Sequence, residues 1–289
     1  MAVDERQLNQ LSSGLDALDA VVPRPEPRVA KLWRATWPKL LAVAIVLAVW
    51  QILYSTEWRP HNAIPSPAQA ISSIFDNWDV ISSAIGNTMS RAVYGYTLAL
   101  VIGTTVGALV ARIPVLRAAI GSMITGLQTM PSVAWFPAAV VAFGLNNSAI
   151  IFVVVLGAAP SIANGLINGI DNISPVLLRA SRVLGARRFA AFRSVILPAA
   201  MPSFIGGLKQ GWAFAWRSLL AGELLVLIPG KFSLGQQLDV NRLNLDMPGL
   251  YGMMIVIFVI GVLVDTFVFG YAERSIRKRY GLVDAAAAS

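Results

Sequence analysis

Six apolar stretches, spaced along the whole chain and parted by polar loops, constrain this sequence more than any other feature. They fall at 40–54, 88–111, 115–143, 148–166, 204–228 and 251–271. With 56% hydrophobic and only 13% charged residues, the chain lies far from a soluble domain, where about a quarter of residues are charged. The fold class expected is therefore an all-α membrane protein of six transmembrane helices. A net charge of +8 raises the question of nucleic acid, but the basic residues flank apolar segments and no aromatic platform is interleaved with them. Topology accounts for the charge instead. Lys31, Arg34 and Lys39 precede the first stretch beside Trp33 and Trp37, Arg112 and Arg117 follow the second, and Arg274, Arg277, Lys278 and Arg279 follow the last. The intervening loops on the other side are poor in Lys and Arg. This asymmetry predicts both termini in the cytoplasm of a multi-pass inner-membrane protein.

Residues 1–38 read as a cytoplasmic N-terminal tail and membrane anchor. The run Pro23 to Pro27 opposes a packed helix, and the absence of an apolar core segment argues against a signal peptide. Residues 39–87 hold the first transmembrane helix and an outer loop, in which 71–75 and 80–85 read as short helices lying on the surface. In the second stretch Gly103 and Gly107 form a GxxxG pair, read as helix packing. The third is too long for one straight span at about 1.5 Å per residue. It contains Pro131 and Pro137, so a broken helix is expected. The segment from Met130 to Pro137, which includes Pro131 and Trp135, is then either a pathway lining or a simple kink. The fourth span is expected to be interrupted near Pro160. Residues 229–248, with balanced charges, read as an outer loop, and 274–289 as a basic cytoplasmic tail.

Between the fourth and fifth spans lies a different kind of segment. Residues 175–202 carry Arg179, Arg182, Arg187, Arg188 and Arg193 and no acidic residue, so the segment belongs in the cytoplasm. Ala180 and Ser181 are followed by Leu184, Gly185 and Ala186, and nine residues after Gly185 come Val195, Ile196, Leu197 and Pro198. That spacing resembles the EAA loop of binding-protein-dependent ABC transporter permeases, E-A-A, three residues, G, nine residues, I-x-L-P. Arg179 stands where that family usually has Glu.

The resemblance, which covers residues 60–280, also includes Ile64-Pro65-Ser66-Pro67 and the segment from Gln128 to Pro137 with Phe143-Gly144. It is narrowest for the branch that imports nitrate, sulfonates and taurine. It implies the type I importer permease fold, a core at 88–273, a homodimer, two cytoplasmic ABC ATPase subunits and an extracytoplasmic solute-binding protein. The basic loop would be the coupling helix. Gly185 would supply a tight turn, Phe189 and Phe192 an apolar knob, and Arg187, Arg188 and Arg193 contacts to acidic groups. Pro198 and Pro202 would end the helix before the fifth span. ATP and Mg would be bound by the partner ATPase and no cofactor by this chain, which has no phosphate-loop motif.

Charges inside spans carry the remaining signal. Lys209, Arg217 and Glu223 fall in the fifth and Asp265 in the sixth. Each costs about 2.5 to 3.5 kcal/mol or more at the bilayer centre and so should face protein or water. Arg217, near Trp212 and Trp216, either attracts an oxyanion in the pathway or pairs with Glu223 or Asp265. Lys209 can snorkel. An intramembrane enzyme is disfavoured, because the chain has no cysteine and a single histidine, His61, in a loop. An ion-coupled secondary transporter, with Glu223 and Asp265 as proton carriers, would call for inverted repeats, and none is evident.

Overall fold

A computed structural model describes residues 28–56, 63–186, 188–228 and 230–279. The tail before residue 28, His61, Arg187 and the segment beyond Arg279 lie outside the described residues. The described residues up to 49 and those from 50 onward belong to two compact units. Of the first, the structure describes part of α1 (Arg28–Ser55), which begins twelve residues before the expected start at 40. Its stretch from Thr36 to Ser55 has the length and composition of a membrane span.

The second unit is all helical among the described residues. Ser66 opens α2 (Pro67–Asp76) with a capping box, its hydroxyl accepting from the Gln69 amide while the Gln69 side chain accepts from the Ser66 amide. Next comes α3 (Trp78–Arg112), 35 residues and so about 52 Å long. The expected surface helix at 80–85 is thus the first part of α3, because nothing between Ile85 and Thr88 stops the helix. The third span breaks as expected. Its halves α4 (Pro114–Thr129) and α5 (Phe136–Phe143), joined by a 3-10 turn at Ser132–Trp135, bend by 104°.

Asn146 caps α6 (Asn147–Asp171) by accepting from the Ser148 amide. Pro160 does not interrupt α6, contrary to expectation. It is buried inside a continuous helix whose neighbours hold it on two sides. The basic segment forms α7 (Pro175–Val183) and a single turn, α8 (Arg188–Ala191). A π-turn at Phe192–Ile196 leads into α9 (Leu197–Leu225). Pro198 and Pro202 do not end a helix before the fifth span. Pro198 sits in the first turn of α9, where its missing N–H is harmless, and Pro202 lies within it. The wider π-turn just ahead accommodates both. Residues 229–248 are more ordered than a loop. They contain α10 (Leu234–Leu243), capped by the Ser233 hydroxyl accepting from Gln236. The last span runs through α11 (Met247–Leu263), a π-turn (Val264–Phe269) and α12 (Gly270–Arg279).

Among the described residues four helices have the length and apolarity of a span, and five if the bent pair counts as one. The fifth expected span, α9, has the length but carries Lys209, Arg217 and Glu223.

At the centre stands α6, with Ile150, Val153, Val154, Ala158 and Ile162 buried against α3 and α9. Small residues set the distances. Gly103 and Gly107 on α3 lie against the backbone of Ala159 and Ala163, so the GxxxG pair packs as read. Gly165 of α6 and Gly207 of α9 meet face to face, and a Cβ on Gly207 would come within 2.6 Å of the Gly165 Cα. Gly207→Val is therefore expected to lower stability by about 1 to 3 kcal/mol through overpacking. Gly206→Ala, whose Cβ meets nothing within 4 Å, is expected to be neutral or slightly stabilising. Thermal unfolding in detergent, followed by tryptophan fluorescence, separates the two.

Candidate functional site

One carboxylate ties three helices together. Glu223, 0% exposed near the end of α9, accepts hydrogen bonds from the Thr88 hydroxyl at 3.1 and 2.9 Å. It also accepts from Arg91 Nη1 at 3.0 Å and from the Gly235 amide at 3.2 Å. The Leu234 amide donates to Thr88 Oγ1 at 2.9 Å, closing the cluster around the start of α10. Gly235 is required here, since a Cβ would lie 2.6 Å from that of Glu223. A lone buried carboxylate is costly, and this one is neutralised by a guanidinium and hydrogen-bonded on both oxygens. The sequence reading passed over Arg91. Its signal was available: an arginine inside an apolar stretch, on one face with Thr88 three residues before it.

This cluster decides the position of Arg217. Neither anticipated ion pair forms, because Glu223 belongs to Arg91 and Asp265 accepts from Lys209 at 3.3 Å. Lys209 accordingly joins α9 to the π-turn of the last span. Arg217 is exposed, lies over the Phe214 ring at 5.3 Å, and donates through Nε to the Ala213 carbonyl. With Trp216 it borders an open cavity of about 440 Å3 whose other walls are apolar, among them Leu220, Met254 and Phe258.

Trp212 is buried in an aromatic cluster, parallel to Trp216 at 6.0 Å and edge-on to Tyr96 at 5.4 Å. At the break in the third span, Met130 and Pro131 are exposed and Trp135 half-buried. Polar contacts satisfy the broken segment. Ser132 meets Ser218 at 2.6 Å, and the Asn164 amide donates to Gln128. Because Ser218 follows Arg217 on α9, the break lies close along the helix to the guanidinium.

The basic segment ends α7 with a defined turn. The Ala186 amide donates to the Ser181 carbonyl and the Gly185 amide to the Arg182 carbonyl, with Gly185 at φ +81°: a Schellman cap. This confirms the tight turn at Gly185. Ser181 is buried, its hydroxyl returning to the Leu178 carbonyl, while Ala180 and Arg179 are exposed. The apolar apex is not where Phe192 suggested. Phe192 turns inward beneath the Arg112 guanidinium at 4.5 Å. Val183 and Leu184, 88% and 86% exposed, form the outward apolar surface instead. Of Arg188 and Phe189 the backbone alone is described. Leu197 is exposed and Pro198 half-buried at the start of α9.

A bundle of apolar helices with one broken span, a polar-lined break and a projecting basic loop defines an integral-membrane transport component. The family described as the binding-protein-dependent transport system inner membrane component matches residues 99–278, and the chain belongs to that family. The nitrate import permease protein of Leptolyngbya laminosa is 30% identical over 212 residues, 68% of this chain and 73% of that protein. The riboflavin transport system permease protein of Chloroflexus aurantiacus is 28% identical, covering 80% and 87%. The taurine transport system permease protein of Escherichia coli is 24% identical, covering 68% and 76%. A solved inward-facing structure of the MetNI methionine ABC transporter superposes with a TM-score of 0.58 at 20% identity, over 70% of this chain and 98% of that one. The chain thus has the type I ABC importer permease fold. It is a multi-pass permease subunit and not itself an enzyme.

Removing one partner of the buried pair tests its structural role. Glu223→Ala, which strands the Arg91 charge, is expected to cost about 3 to 5 kcal/mol, while replacing both by apolar residues is expected to recover much of that. Yield of monodisperse protein and the unfolding midpoint in detergent report the difference.

Proposed function

We propose that this permease works in an ATP-driven importer whose coupling contact is made by the apex Val183–Leu184, held by the Schellman turn at Gly185. The observation that carries this reading is that two large apolar side chains project at a rigid turn within an otherwise basic loop. Such a knob suits an apolar groove on a cytoplasmic ABC ATPase, and Arg179, Arg182 and Arg193 suit acidic groups around its rim. Arg187, Arg188 and Phe189 follow this apex in the sequence. ATP and Mg are bound by that partner, and this chain binds no cofactor. Two permease copies enclose the pathway, and a solute-binding protein delivers the substrate on the far side.

For the substrate we infer a small oxyanion, an aliphatic sulfonate such as taurine or else nitrate or bicarbonate. Arg217 supports it: a guanidinium at the mouth of an apolar cavity with no carboxylate assigned to it offers two parallel donors to a planar or tetrahedral anion. Trp216 walls the same cavity, and Met130, Pro131 and Trp135 lie at the break whose Ser132 meets Ser218. The relatives named for nitrate and taurine fit this chemistry; the one named for riboflavin favours a neutral heterocycle as the second reading. Trp212 and Glu223 act here by holding the bundle around the pathway.

Two substitutions separate coupling from transport. Leu184→Asp is expected to leave membrane insertion intact and to abolish uptake while the ATPase still hydrolyses ATP; unchanged uptake in proteoliposomes contradicts the coupling assignment. Arg217→Ala is expected to reduce uptake of taurine or nitrate by about tenfold, the value of one lost charged hydrogen bond, with the complex still assembled. Wild-type uptake of both anions contradicts the oxyanion reading.

A further inference from the structure

A second groove, about 500 Å3 in volume, lies between α3 and α6, away from the Arg217 cavity. The two helices run parallel here, since Gly95 faces Ile151 and Val154 while Gly103 faces Ile162. Residues 90–94 therefore share a level with 147–148. At that level every polar wall residue is found: Ser90, Arg91, Tyr94, Asn147 and Ser148. Further along, the walls are Leu98, Ile102, Ile151, Phe152 and Val155. The groove is thus polar at the end where α6 begins, remote from the basic loop, and apolar for about 12 Å beyond, at 1.5 Å per residue from Tyr94 to Ile102.

Arg91 gives the polar end its chemistry. Its Nη1 is committed to Glu223, and its Nη2 is buried without any hydrogen-bond partner. The two oxygens of Glu223 already accept from Thr88, Arg91 and Gly235, and only Nη1 of Arg91 reaches them. The residue is 7% exposed and forms part of the groove wall, so a group in the groove can supply the acceptor it lacks. Beside it, Asn147 and Ser148 can donate to the same group, whereas the Ser90 hydroxyl already donates to the Asn87 carbonyl.

We propose that this groove is a phospholipid site. The phosphate and glycerol-ester oxygens of a lipid in the leaflet away from the basic loop meet Arg91, Asn147 and Ser148. One acyl chain lies along Leu98, Ile102, Ile151 and Val155. Guanidinium-phosphate contact matches charge and geometry, and the polar-to-apolar order along the groove matches the order of the lipid. The site stands apart from substrate transport and requires only that the bundle be embedded in a bilayer.

The test is photo-crosslinking of the full-length chain in mild detergent, with phosphatidylglycerol carrying a diazirine in its acyl chain. Label is expected to concentrate on peptides spanning 90–102 and 147–155. Leu98→Trp, which fills the apolar slot from an exposed position, is expected to reduce that label about tenfold. Ser148→Asp, which offers Arg91 an internal carboxylate, is expected to do the same, and Val141→Trp on an exposed site outside the groove to change nothing. Both groove variants should retain the parent unfolding midpoint. Label spread evenly over the exposed apolar faces, or undiminished in Leu98→Trp, overturns the proposal. So does a disulfide-linked dimer formed by Leu98→Cys, which would put a second copy in the groove.

Discussion

The bundle depends on how one charge is met. Glu223 sits where neither water nor lipid can solvate it, and donors from two other helices converge on its two oxygens. Thr88 and Arg91 come from α3, and Gly235 from α10. The cluster fixes the rotation of α3 about its axis and holds α10 against the end of α9. Once that carboxylate is satisfied, the other charges have defined places. Lys209 takes Asp265, and Arg217 borders a cavity. A polar network inside a membrane bundle fixes one arrangement because most alternatives strand a donor or an acceptor.

A different device governs the far end. The basic loop has little apolar core of its own, so its shape comes from backbone hydrogen bonds at the end of α7. Gly185 makes that end sharp at φ +81°, which leaves Val183 and Leu184 projecting. Phe192, tucked under Arg112, ties the other limb of the loop to the end of α3. The projecting residues are therefore braced from both sides, the condition under which a contact at the apex can move the bundle rather than bend a loop.

Much of this was legible in the chain. Hydropathy located the spans, Pro131 located the break, and the spacing around Gly185 located the turn. What escaped was long-range or depended on context. Arg91 and Glu223 are 132 positions apart, and no local pattern pairs them. The apolar stretch begins at Thr88, yet the Thr88 hydroxyl faces the buried carboxylate and the helix starts ten residues earlier. Pro160 and Pro202 were read as breaks, but neighbours on α3, α6 and α9 hold those helices continuous. The sequence of α10 lacks an apolar stripe; only the Ser233 cap marked its start. Phe192 was taken as outward because aromatic residues three apart suit a knob, and the cation beneath which it packs lies 80 residues away.

The absence of cysteine from this chain makes the most direct measurement simple. A single Leu184→Cys substitution, treated with a short bifunctional thiol reagent in native membranes, reports what touches the apex. The expected result is one cross-linked product with a chain bearing an ATP phosphate loop, its yield changing when ATP is bound. A cysteine at Leu184 that reacts freely with a soluble thiol reagent and never captures such a chain would contradict the coupling role assigned to this loop.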